Sequence, residues 1–363
     1  MKHFVRHIVT LLLWLALPLA GAAQGIRFPM EFWKAPAPQS DTVRIFIVGD
    51  VLSHGRVMES SAQYGYRSFF KYVEEDIQGA DLSICNMEFP LAGKPYSGYP
   101  VFSGPESFPE YLAEVGFGVF LLGNNHVLDK GSAGLSRTIE QMELRGLRYT
   151  GVAANEAADT LLNPLFVNVK GLRLAIVNFT YGTNQGATAR WPKVQRMNKA
   201  ALAPIMARAR EQADIVLVCP HWGVEYALNH NAEQEEMAHW LVQQGAHVIV
   251  GSHPHVVQDM EYINGVPVYY SLGNALSNQN DLPARLEGVV TLNFFTRLGE
   301  RPHLAGIRFK YLWCTKPGMI EDSYAAVPVT LPASYWRDPA DYETMQATLK
   351  KYTASFAMKR VAE

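Results

Sequence analysis

Residues 246–255 read AHVIVGSHPH: three β-branched residues, Val248, Ile249 and Val250, halted by Gly251 and followed at once by His253 and His255. Such a run is too short for a helix and too apolar for a half-exposed strand, so it reads as a strand buried on both faces. Five other stretches share the plan of an apolar run stopped by glycine or a polar cluster: VRIFIVGD (43–50), ADLSICNME (80–88), FGVFLLGNNH (117–126), ADIVLVCPHWGVE (213–225) and VPVYYSLGN (266–274). Helical spacing fills several of the gaps, over 132–145, 199–212 and 233–244. Strands alternating with helices predict an α/β architecture. Two hairpin signals interrupt the alternation, around Gly171 and at Asn264-Gly265. The sheet is therefore expected to be mixed, or to be two sheets packed together.

Composition narrows the class. The chain has 363 residues, 48% hydrophobic, with 32 basic against 34 acidic side chains. That apolar content excludes disorder, and the near-zero balance gives no footprint for nucleic acid. Three cysteines exclude a disulfide scaffold, and Cys85, Cys219 and Cys314 read as buried small hydrophobes. Residues 1–22 carry a basic start, the apolar run IVTLLLWLALPLA (8–20) and small residues after it, the pattern of a secretory signal peptide. Export to the periplasm or cell envelope follows as an expectation, with membrane anchoring if the leader is not cleaved. Residues 23–41 are Pro-rich and read as an extended lead-in, ahead of a main domain over 42–300.

In open α/β sheets, ligands bind beyond the carboxyl ends of the strands. All six clusters fall there, so Asp50, Glu88, Asn124, Asn125, His126, His221, His253 and His255 are expected to meet at one rim. A mixed set of oxygen and nitrogen donors suits Zn, Mn or Fe, bound as one or two ions. Pro254 forbids a helix, and an extended backbone would turn both flanking imidazoles to one side. Each residue has a duller reading. Asp50 would serve as a simple cap. His230, His239, His247 and His303 read as ordinary hydrogen-bonded residues, and Glu233, Glu235 and Glu236 as a solvated helix face. The six clusters together outweigh these single readings.

GD at 49–50, NME at 86–88, GNNHVLDKG at 123–131, HWGVEY at 221–226, GSHPHVVQ at 251–258 and SLGN at 271–274 stand in an order that resembles the CapA family of bacterial poly-γ-glutamate capsule-synthesis proteins. That family is related to calcineurin-like metallophosphoesterases. The resemblance covers roughly residues 43–295 and implies a four-layer α/β/β/α sandwich of metallophosphoesterase type with mixed sheets. It also implies roles. Asp50 would bind a first metal, Glu88 would bridge, and Asn125, His221 and His253 would hold the second, with His255 returning to the first. His126 would act as general acid, oriented by Asp129. Asn86, Asn124, Glu225 and Asn274 would contact substrate or support the ligands. One departure stands out: phosphoesterases place a histidine two residues after the first aspartate, and this chain has Leu52, with His54 two further on.

Three readings remain open. The first is a metal-dependent, phosphoesterase-like hydrolase acting on a phosphoester or on an amide in an anionic envelope polymer. The second is a catalytically weak or inactive polyanion-binding component of capsule assembly and export. The third is a structural part of an envelope complex, with membrane synthase components as partners. Beyond residue 300, LAGIRFKYLWCTKP (304–317) reads as a strand at a sheet edge, since Pro317 follows. Residues 342–359 read as an amphipathic helix with Met345, Leu349, Tyr352 and Phe356 on the packed face.

Overall fold

The computed structural model describes residues 42–186, 190–297 and 299–359, so the leader and the lead-in lie outside the described residues. From the first strand the expected plan is visible. β1 (Thr42–Val51), β2 (Leu82–Met87), β3 (Val119–Leu121) and β4 (Tyr149–Thr150) lie side by side in that order, all parallel. The crossovers between them carry α1 (Gly55–Tyr64), α2 (Glu74–Gln78), α3 (Ser107–Val115) and α4 (Gly131–Leu144). Every residue of β2 is buried, including the polar Ser83 and Asn86, which are hydrogen-bonded to Ile77 O and Asp50 Oδ1.

After β5 (Val152–Ala153) and α5 (Glu156–Leu162) the chain builds a second sheet. β6 (Leu165–Val169) and β7 (Leu172–Thr180) form the hairpin turning at Lys170-Gly171. The short β8 (Lys193–Val194) pairs with β5. Then α6 (Lys199–Gln212), β9 (Ile215–His221), α7 (Ala232–Gln243), β10 (Val248–Val250), β11 (Met260–Ile263) and β12 (Val266–Tyr269) follow. The second sheet runs β11-β12-β10-β9-β7-β6, parallel in its middle and antiparallel at both margins. Asn264-Gly265 makes the second hairpin, both residues at positive φ.

The chain returns to the first sheet through β13 (Asn274–Leu276), β14 (Leu286–Phe295), β15 (His303–Thr315) and β16 (Ala325–Pro328). Two mixed sheets therefore stack face to face with helices outside, the α/β/β/α order expected. Alternate residues of β7 face opposite ways. Leu174 and Ile176 join the core between the sheets, while Ala175 and Val177 meet Leu202, Met206 and Met237 from α6 and α7.

β15 qualifies one expectation. Its first stretch, His303–Tyr311, pairs only with β14 and is an edge among the described residues, as expected, whereas β16 covers the end from Leu312 to Thr315. The chain turns after Pro317 and comes back, so Pro317 ends the strand without exposing that end. The last helix, α8 (Pro339–Lys359), starts three residues earlier than its periodicity shows. Asp338 Oδ1 accepts from Ala340 N at 2.9 Å with proline at the first helical position, a start signal present in the sequence. Met345, Leu349 and Tyr352 pack with Trp313, Val327 and Trp336; the side chain of Phe356 lies outside the described residues. The three cysteines are free and buried.

One crossing places the site. β13 joins the end of β1 with Asn274 beside Asp50, at a bulge in β1. Asp50 N donates to Gly273 O at 2.9 Å, and a Cβ on Gly49 would stand 2.0 Å from that oxygen. Two glycines let the backbones touch, and the donors that follow them end up adjacent. Gly49→Ala is expected to destabilise the fold by about 3 kcal/mol or more, read as a lowered urea midpoint. A midpoint within experimental error of wild type would show that the crossing yields easily.

Candidate metal centre

The six strand-end clusters meet at one rim, between the carboxyl ends of both sheets. Asp50 is fully buried; its Oδ1 accepts from Asn86 Nδ2 at 2.7 Å and its Oδ2 from His253 N at 3.2 Å. Glu88, just past β2, is also fully buried, and neither carboxylate oxygen has a hydrogen-bond partner among the described residues. Its Oε1 lies 3.4 Å from His221 Nε2, and its Oε2 lies 3.9 Å from His255 Nδ1. Asn125 Oδ1 stands 2.8 Å from His221 Nε2. His221 Nδ1 faces Ser252 Oγ at 3.0 Å, which leaves Nε2 as the nitrogen turned to the carboxylate.

Two donor groups result, each with ligating atoms within 4.8 Å of one another: Glu88, His221 and His253, and Asp50, Glu88 and His255. Glu88 belongs to both. The route to this arrangement differs from the one expected. His253 and His255 do not alternate along an extended strand; they sit at φ of 101° and 59°. Left-handed backbone at two non-glycine residues is strained by about 1–3 kcal/mol each and is held by its surroundings. The strain lets the two rings, 6.1 Å apart, serve different groups.

Electrostatics sharpens the picture. Burial pushes the Glu88 carboxyl far up, and Asp50, Glu225 and Asp129 push it further. Burial pushes Asp50 up, but His255, His221 and the Asn86 amide together outweigh that and hold Asp50 below its usual range. Burial drives His221 down to about 3 and His253 well below its usual value, so both imidazoles are neutral lone-pair donors. Glu88 Oε1 and Oε2 and His253 Nδ1 are all buried without a hydrogen-bond partner among the described residues. Each such atom costs about 1–3 kcal/mol, and a divalent cation among them would relieve both the orphaned lone pairs and the carboxylate repulsion. The residues fit one.

Beside these groups, His126 Nδ1 meets Asp129 Oδ2 at 2.7 Å, both buried. Phe102 N donates to the same oxygen at 2.8 Å, and the Phe102 ring packs edge-on against the imidazole at 4.6 Å. Asn124 Nδ2 donates to Met87 O at 2.9 Å and ties this loop to β2. Glu225 is exposed on its loop, and its charge reaches Glu88, Tyr181 and Tyr226. Asn184 was missed by sequence reasoning. Its backbone N donates to Asn125 O at 2.9 Å, and its Nδ2 lies 3.3 Å from His126 Nδ1. The signal was the polar cluster ending β7, another strand end at the same rim, which the hairpin reading concealed.

Leu52 is a core residue, 1% exposed, so no donor stands two positions after Asp50. His54 does not replace it. It belongs to neither donor group, its Nδ1 accepts from Asn278 N at 3.2 Å, and its ring packs edge-on against Phe102. Burial, then His255 and His126, lower it to about 4. Its folded pKa lies below the unfolded value of 6.5, so its contribution is present above 6.5 and is lost as pH falls toward 4. Wild type is expected to lose on the order of 3 kcal/mol more than His54→Gln between pH 7 and pH 4, measured by urea unfolding at both pH values. Parallel losses in the two proteins would contradict a neutral, buried His54.

Stacked mixed sheets with outer helices and a donor-lined rim define the calcineurin-like metallophosphoesterase fold. In keeping with this, the chain superposes on the solved structure of "Putative 5′-Nucleotidase from Staphylococcus aureus in complex with alpha-ketoglutarate" with a TM-score of 0.50 at 15% identity, covering 85% of this chain and 58% of that one. Within this fold the chain belongs to the family described as bacterial capsule synthesis protein PGA_cap, whose model matches residues 44–279. It is 31% identical over 253 residues to the capsule biosynthesis protein CapA of Bacillus anthracis, covering 66% of this chain and 61% of that protein's length. It is 30% identical over 286 residues to the PGA biosynthesis protein CapA of Bacillus subtilis strain 168, covering 77% of this chain and 73% of that protein.

Proposed function

We propose that this protein is exported and acts in the synthesis of poly-γ-glutamate or a related anionic capsule or envelope polymer, as a metal-dependent, phosphoesterase-like hydrolase. The observation that carries the reading is a buried pair of donor groups sharing Glu88, with the His126–Asp129 pair at its side. A structural metal has no use for a proton donor. Asp50, Glu88 and His255 would hold one cation, and Glu88, Asn125, His221 and His253 the other, with Mn, Zn or Fe as candidates. When bound, the cations supply Lewis acidity and neutralise charge developing on the reacting oxygen. Asp129 fixes the tautomer and orientation of His126, leaving Nε2 to exchange a proton with the departing group. Asn184 and Asn124 hold the loop that carries His126 and Asn125 in place.

A depression of about 610 Å³ is walled by Tyr226, Val256, Asp281, Leu282, Pro283, Lys351 and Tyr352, and the Tyr226 ring lies 6.1 Å from that of His255. Leu52, by withholding one ligand, supports the second reading, a polyanion-binding component with little or no turnover. Metal analysis of the purified chain, alongside incubation with poly-γ-glutamate and with an aryl phosphodiester, separates the two. Bound divalent metal and shortening of the polymer are expected. Polymer binding without shortening would transfer the case to the second reading, and absence of any bound divalent metal would end the first. The mass of the mature protein recovered from the cell envelope tests export.

A further inference from the structure

Asn274 lies beside Asp50, fully buried, and its amide is oriented beyond ambiguity. Its Nδ2 faces three acceptors, Ala284 O at 2.9 Å, Gln279 Oε1 at 2.9 Å and His255 O at 3.2 Å. The reverse orientation would set an oxygen against two backbone carbonyls. Oδ1 therefore points the other way, to His255 Nδ1 at 2.9 Å. The same Nδ1 lies 3.2 Å from Asp50 Oδ2 and 3.9 Å from Glu88 Oε2. Donors held about 2.1 Å from one cation stand roughly 3 Å apart at right angles and about 4 Å apart when opposed. These spacings are those of a single coordination shell.

We propose that Asn274 Oδ1 is a ligand of the first cation, taking the place that Leu52 leaves without a donor. This deepens the metal-dependent reading above and rests on it. The first site then has three oxygen donors, from Asp50, Glu88 and Asn274, and one imidazole, His255. The second has two imidazoles, His221 and His253, beside Glu88 and Asn125. Oxygen-rich surroundings suit a hard ion such as Mn²⁺, whereas imidazoles suit Zn²⁺ or Fe²⁺. The two sites are therefore unequal in kind, and Mn²⁺ belongs in the first.

Mn²⁺ titration of the metal-stripped full chain, with free ion counted by electron paramagnetic resonance, reads occupancy without relying on activity. Two equivalents are expected for wild type. Asn274→Leu, close to isosteric, should keep one, and Asn274→Asp should keep both. Asn125→Leu should weaken only the other site. Asn274→Leu binding two equivalents with wild-type affinity would overturn the assignment while leaving the metal-dependent reading intact; wild type binding none would overturn that reading too. Since the leucine variant loses several hydrogen bonds, a second measurement needs no substitution. Histidine-selective ¹⁵N spectra of the Zn²⁺-loaded wild type should show His255 Nδ1 without a proton. A protonated Nδ1 would mean that Asn274 only orients the ring and would overturn its role as ligand.

Discussion

Hydrolysis by His126→Ala is expected to fall by about 10²–10⁴-fold, the usual worth of a positioned general acid, with metal content unchanged. The two halves of this expectation come from separate observations. His126 belongs to neither donor group, so its removal takes no ligand from a cation. It is paired through Nδ1 with Asp129 in a buried setting, an arrangement that fixes one tautomer and leaves one nitrogen for proton transfer. The loss should depend on the leaving group. A nitrophenolate departs without a proton, so the variant should be close to wild type on a nitrophenyl ester and far below it on an alkyl ester. Equal losses on both would assign His126 to binding or structure. Asp129→Asn should show a smaller version of the same pattern, because Asp129 Oδ2 also receives Phe102 N and the loop keeps that tie.

Glu88→Gln should have opposite effects on metal affinity and on the stability of the metal-free protein. Glu88 is the member common to both donor groups, so losing its charge should weaken divalent metal binding by at least about 100-fold, more than loss of a supporting partner does. Without metal, the same charge is a liability. Burial and then the neighbouring Asp50, Glu225 and Asp129 raise its pKa well above 4.5. A raised folded pKa means that stability is present below 4.5 and is lost as pH rises toward the folded value. Glutamine escapes that loss. The metal-free variant should be more stable than metal-free wild type at pH 7, by no more than about 3 kcal/mol, and the two should converge near pH 4.5. Calorimetry with and without chelator checks both signs. A variant less stable than wild type in chelator would contradict the crowding of carboxylates at this rim.

Much of this molecule is written in short range. The buried strands follow from apolar runs, and the hairpins at Lys170-Gly171 and Asn264-Gly265 follow from turn chemistry that needs no distant partner. That the donors would gather at strand ends was equally legible, because the rule concerns where strands stop and not how they are ordered. Misreadings arose where a neighbour remote in sequence decided the outcome. Pro317 ends β15 and marks an edge, but β16 returns to cover the last four residues, Leu312 to Thr315. His253 and His255 looked like alternating residues of an extended chain, yet packing holds both in left-handed backbone. Asn184 escaped notice because its importance lies in touching Asn125 and His126, some sixty positions earlier.

The local chain, then, determined which segments become strands, where they end and which side chains stand at those ends, since apolar patterning and turn propensity act over a few residues. Tertiary structure alone decided which donors share a cation, that Leu52 is core and His54 stands aside, and that Asn274 lies against Asp50. Those outcomes depend on backbones crossing at Gly49 and Gly273, a contact between stretches more than two hundred residues apart, and no local preference encodes it.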